Sequence, residues 1–97
     1  MRRRGQVKLR VGLSPREKQV IRLVALGRQN KQIASSLGLT VHTINQYLWE
    51  IEANLGMRGR RSLLVGYALR EGLVVLAELY AEVRACHVAN VMRLATR

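Results

Sequence analysis

Asn45, Gln46 and Trp49, with His42 one turn earlier, are the residues of this chain whose types and spacing suit a chemical task. They fall in TVHTINQYLWEIEANLG, where Ile44, Leu48, Ile51 and Leu55 recur at intervals of four, three and four. Such intervals mark one buried stripe of an α-helix, here over residues 40–55. At about 100° per residue, His42, Gln46, Trp49 and Ala53 lie opposite that stripe, with Asn45 and Glu50 on the flanks. An Asn or Gln carboxamide carries a donor and an acceptor, and can pair bidentately with adenine for roughly 1–3 kcal/mol of discrimination. Trp49 could press on a thymine methyl or a sugar; the alternative is that it lies over a neighbouring helix. His42 reads either as a base contact or as a polar residue near the helix start. Glu50 and Glu52 read as solvated charges, Glu50 alternatively as an acceptor from a cytosine amino group.

Other chemistries find no support. No Ser/His/Asp or paired-carboxylate arrangement suggests catalysis, so the expectation is a protein that is not an enzyme. No Cys/His spacing suggests a metal, and no cofactor is implied; His87 reads as polar edge. The single cysteine, Cys86, excludes an internal disulfide and fits a reducing cytosol. The N-terminal MRRRGQVKLRVGL has the charge of a signal peptide without the apolar run, and stretches such as GLVVLA are too short to span a bilayer. The expected setting is cytoplasmic, with no membrane partner.

Charge bounds the partner class. The 97 residues hold 17 Lys+Arg against 6 Asp+Glu, a formal net charge of +11. A small domain this basic usually meets nucleic acid. The cations cluster at Arg2, Arg3, Arg4, Lys8 and Arg10, again from Arg16 to Lys31, and again at Arg58, Arg60 and Arg61; residues 32–57 hold none. The amide-bearing helix is therefore flanked by positive charge and lacks its own. Because phosphate contacts position a protein while base contacts specify, Lys31 with neighbouring Arg28, and Arg58, Arg60 and Arg61 at the far end, become the candidate phosphate contacts. The arm at residues 2–10 could enter a minor groove, where Arg is favoured, or remain a solvated tail.

Helices must position these residues. LSPREKQVIRLVALG carries an N-cap at Ser14, Pro15 in the first helical position and Glu17 three after the cap, with Val20, Ile21, Leu23 and Val24 inward and Gly27 as stop. NKQIASSLG follows, with Asn30 as cap, Ile33, Ala34 and Leu37 inward, and Gly38 as stop. The helix over 40–55 starts after almost no linker, with Thr40 as cap and Gly56 as stop. Two helices crossing steeply need a small residue on the first and one tolerant of positive φ in the turn; Ala34 and Gly38 meet this, and Ile33, Leu37, Leu39, Ile44 and Tyr47 fall inward. A fourth helix is predicted over 61–71, where Gly66 would permit close helix approach, and a fifth, about 20 residues long, follows Gly72.

The motifs LSPREKQVIRLVALG, NKQIASSLGL, T-x-x-T-I (Thr40, Thr43, Ile44), I-x-x-x-LG (Ile51, Leu55, Gly56) and ALREGL resemble the LuxR–FixJ–GerE type of DNA-binding domain over residues 13–73. The resemblance implies an all-α, four-helix helix-turn-helix domain whose third helix reads the major groove of double-stranded DNA. It implies base contacts at Asn45, Gln46 and Trp49, phosphate contacts at Thr43, Arg58, Arg60 and Arg61, and dimerisation through the fourth helix. Three positions depart from the family: Asn45 and Asn54 stand where lysine is usual, and Tyr47 where histidine is usual.

The expected organisation is a basic arm over 1–12, the LuxR-type domain over 13–72, and a further C-terminal helix over 73–97 that either packs back or, the favoured reading, forms a homodimer. Twelve residues before Leu13 leave no room for a sensor in this chain, so the expectation is a stand-alone bacterial or phage transcription regulator. The rival reading is a protein-interaction module binding RNA polymerase or another regulator through the face of the third helix.

Overall fold

A computed structural model describes residues 12–95, which form five helices and, among the described residues, no strand. The basic arm at residues 2–10 lies outside the described residues. Helix α1 spans Pro15–Ala25, and its start follows from the sequence. Ser14 Oγ accepts from the Glu17 backbone N–H at 3.2 Å, and Glu17 Oε1 accepts from the Ser14 N–H at 2.8 Å. These are two of the N–H groups a helix start leaves unpaired.

Helix α2, Asn30–Leu37, corrects one expectation. Asn30 is not the cap; Gln29 is, and its backbone N–H donates to Gln32 Oε1 at 2.8 Å. Asn30 is the first residue inside the helix, and its carboxamide is engaged by Arg61 and Asn45. At the other end Gly38 adopts φ 69°, and the Leu39 N–H donates to the Ala34 carbonyl at 2.9 Å. This left-handed closure, which glycine adopts without a Cβ penalty, turns the chain directly into α3, Val41–Leu55. Thr40 caps α3, its Oγ1 accepting from the Thr43 N–H at 3.1 Å.

Helix α4, Leu63–Arg70, is shorter than predicted because Arg61 and Ser62 belong to the preceding turn. The last helix, α5, begins at Leu76 rather than Leu73. After Gly72 turns left-handed, the Leu73 N–H returns to the Ala68 carbonyl at 2.8 Å and Val74 plugs the core at 1% exposure. Burying Val74 forces residues 73–75 off helical geometry, and the helix restarts where Glu78 Oε1 accepts the Val75 N–H at 3.0 Å.

The core joins Val20, Ile21 and Val24 of α1, Ile33 and Ala34 of α2, Ile44, Leu48 and Ile51 of α3, and Leu64 and Ala68 of α4. Tyr47 packs half-buried against it, as its inward flank predicted. Helix α1 packs on α2, α3 and α4, and α2 on α3, so α3 keeps one face outward. Among the described residues nothing approaches Gly66 closely: a Cβ there would meet no atom within 4 Å.

Helix α5 differs from the rest in burying none of its residues. Its first turns are tied to α1 and the α1–α2 loop. Arg22 donates to both Glu78 oxygens at 3.0 and 2.6 Å, and Arg28 to both Glu82 oxygens at 3.0 and 3.1 Å, while Leu79 packs on the core. The hydrogen bond from Arg22, aided by the Val75 N–H, holds the Glu78 carboxyl down at about 2 from its ordinary 4.5, and Arg28 lowers Glu82. A carboxylate with a depressed pKa contributes stability above its ordinary pKa and loses it as pH falls through the depressed one. The contribution of the Arg22–Glu78 pair to the docking of α5 is thus fully present above about pH 4.5 and is lost as pH falls toward 2. Amide protection factors over residues 76–83 should fall between pH 5 and pH 2.5, and should already be low at pH 5 in Glu78→Gln. Protection that stays level in both proteins would mean that α5 is held by packing alone.

Candidate nucleic-acid interface

The outward face of α3 gathers the four residues singled out by type and spacing. His42, Asn45, Gln46 and Trp49 are exposed and together with Glu50 line one shallow depression. Trp49 is 50% exposed and lies beneath Arg58, whose guanidinium carbon sits 4.1 Å from the ring centroid. It is therefore not buried under another helix. The contact is a cation–π pair that bends a candidate phosphate-binding arginine back over the depression.

The surrounding cations arrive by different routes. Lys31 is exposed in the first turn of α2. Arg58, Arg60 and Arg61 lie on the turn between α3 and α4, whose shape Glu52 helps set by accepting the Gly59 N–H at 3.1 Å. Glu52 is thus a fastener for the arginine-bearing turn rather than only a solvated charge. Nothing local in the sequence announces this, since the pair is seven residues apart and closes only after Gly56 reverses the chain. Thr43 is half-buried with its hydroxyl 3.0 Å from Thr40 Oγ1. Arg28 stands apart from this group because Glu82 occupies its guanidinium; a phosphate would have to displace that carboxylate.

Arg61 makes one further connection. Its Nη2 donates to Asn30 Oδ1 at 2.8 Å, and Asn30 Nδ2 donates to Asn45 Oδ1 at 2.6 Å. The turn after α3, the start of α2 and the outward face of α3 are thereby joined by two carboxamides. Among the described residues no group of His, Cys, Asp or Glu could hold a metal ion, and no helix is long and apolar enough to cross a membrane.

Comparison with known proteins agrees with this geometry. Residues 11–66 match the profile of bacterial regulatory proteins of the luxR family. The transcriptional regulatory protein MctR of Rhizobium johnstonii is 37% identical over 62 residues, 64% of this chain and 28% of that protein. A probable transcriptional regulator, ycf29 of Cyanophora paradoxa, is 35% identical over 66 residues, 68% of this chain and 31% of that protein. The oxygen regulatory protein NreC of Staphylococcus aureus is 37% identical over 62 residues, 64% of this chain and 28% of that protein. The chain therefore spans less than a third of the length of these relatives. No solved structure gives a significant match. With its capped first helix, its Ala34–Gly38 crossing and an outward third helix all within the matched region, the chain belongs to the luxR family of bacterial regulatory proteins.

Proposed function

We propose that this protein is a transcription regulator that binds double-stranded DNA with sequence preference, placing α3 in the major groove. One observation carries the reading: α3 gathers His42, Asn45, Gln46 and Trp49 at one exposed depression, and Arg58, from the turn that follows, lies over its tryptophan. In this reading Asn45, Gln46, Trp49 and His42 meet base edges. Lys31, Thr43, Arg58, Arg60 and Arg61 hold the backbone, and Arg28 joins them where a phosphate replaces Glu82. Lys31 adds its charge to the free N–H groups at the start of α2, a favourable combination for a phosphate.

The protein acts as a homodimer, with half-sites about 10 bp apart or a multiple of that. Support comes from the distal part of α5, where Val83, Val88, Val91, Met92 and Leu94 are 47–66% exposed. Contact with RNA polymerase through the Trp49 and Glu50 side of α3 is the competing use of that face, and the setting is the bacterial cytoplasm.

Selection of binding sites from random duplexes at near-physiological salt tests the reading. A preferred sequence is expected. Lys31→Ala should weaken every duplex alike, whereas Gln46→Ala should relax preference at one base pair, by roughly fivefold to a hundredfold for a bidentate contact. Both changes acting equally on all sequences would reverse the assignment of reader and anchor. A salt-insensitive protein partner combined with feeble DNA binding would replace the reading by the interaction module.

A further inference from the structure

We propose that Asn30 is a specificity-determining residue that never touches a base: it fixes which end of the Asn45 carboxamide faces DNA. The inference rests on α3 reading bases and goes beyond it by assigning the hydrogen-bonding sense of one contact.

An arginine guanidinium has only donors, whereas each asparagine amide has an oxygen that accepts and a nitrogen that donates. Arg61 Nη2 lies 2.8 Å from the Asn30 carboxamide, so the atom it meets must be the oxygen. The Asn30 nitrogen is thereby left for Asn45, 2.6 Å away, and can only donate, so the Asn45 atom it meets must also be the oxygen. The polarity of both amides follows from the arginine at the head of the chain. Neither can flip without setting donor against donor or acceptor against acceptor.

Asn45 itself is exposed on the depression shared with Gln46 and Trp49. Its oxygen is engaged by Asn30, and its nitrogen has no partner among the described residues. The group presented outward is a donor. Bidentate pairing with adenine needs the amide oxygen as well, to accept from the adenine amino group. With one lone pair of that oxygen held by Asn30 and the nitrogen unpaired among the described residues, Asn45 presents its donor foremost and favours an acceptor: purine N7, guanine O6 or thymine O4. It selects against the cytosine amino group. Arg61 keeps donors beyond the one given to Asn30, so a phosphate can meet the same guanidinium that sets the amide chain. Backbone engagement and base choice are then joined through three side chains.

Reversing the polarity is the test. In Asn30→Asp the carboxylate accepts from Arg61 and from Asn45 alike, so Asn45 turns its nitrogen inward and its oxygen toward the groove. An acid in the first turn of α2 suits the helix dipole, so the variant should fold, and a thermal melt checks that it does. The base pair read by Asn45 is first located with Asn45→Ala in a random-duplex selection.

At that pair, Asn30→Asp should invert the order, from acceptor bases over cytosine to cytosine or adenine over guanine and thymine. The change in the ratio should be about tenfold, within the range of a single base contact. Overall affinity falls for every sequence because a negative charge has been added, and the ratio removes that common factor. In the Asn45→Ala background the same substitution should leave the ratio unchanged, which a merely structural role for Asn30 would not predict. Arg61→Lys, still donor-only, should keep the wild-type order.

If selection yields a motif that Asn45→Ala alters at one pair and Asn30→Asp does not, the amide chain is overturned and the DNA reading stands. If selection yields no motif, both fall.

Discussion

Replacing Ile51 by alanine should cost about 2–5 kcal/mol, the usual range for truncating a fully buried isoleucine. Ile51 is fully buried in the middle of α3, which packs on both α1 and α2. The truncation leaves a cavity in the core that α3 shares with α1, α2 and α4, and α3 cannot shift to fill it without moving its outward face. A domain this small has little stability in reserve. The thermal midpoint should drop by roughly 10–30 °C, at 4–8 °C per kcal/mol for a domain of this size. DNA binding should fail well below the wild-type melting temperature. Val75→Ala, at a position 54% exposed, should leave the midpoint nearly unchanged and controls for the loss of aliphatic bulk. A midpoint for Ile51→Ala within a degree or two of wild type would show that α3 is held from outside this core.

The second large effect is electrostatic. Replacing Lys31, Arg58 and Arg60 together by alanine should weaken binding to all duplexes by on the order of a hundredfold at low salt. It should also make the slope of log affinity against log salt shallower by about 2.7, since each neutralised phosphate contributes about 0.9. Arg61 is left in place because it also holds Asn30. The order of preferred bases should survive, because Asn45 and Gln46 are untouched. Titrations by anisotropy at several salt concentrations measure both quantities. An unchanged slope would place the phosphate contacts elsewhere, with the N-terminal arm the first region to test.

The two predictions draw on different kinds of legibility in the sequence. The elements were readable where a local pattern has a local cause. Ser14 and Glu17, Thr40 before its helix, and Ala34 with Gly38 each act within a few residues, and the structure places all of them as the spacing requires. The outward face of α3 was readable too, since its four, three, four stripe leaves only one exposed side.

Reading failed where a side chain had a choice of distant partners. Asn30 looks like a cap in isolation, but Arg61, 31 residues on, and Asn45, 15 residues on, take its carboxamide. Arg28 looks like a free cation beside Lys31, but Glu82, 54 residues on, closes over it. Residues 73–75 look like the first turn of a helix, yet the core takes Val74 and the helix waits for Leu76. In each case the deciding interaction joins elements distant in sequence and exists only once they are assembled.

The chain contains a single tryptophan. It stands half exposed on the outward side of α3 with a guanidinium against its ring. Its ultraviolet emission therefore comes from one known spot, and the cation beside it sets the starting intensity. Anything that lifts Arg58 away or shields the indole from water must shift both brightness and colour. Occupancy of this surface can accordingly be followed without a dye, and mixing experiments could time the arrival of a ligand there independently of its arrival anywhere else on the protein.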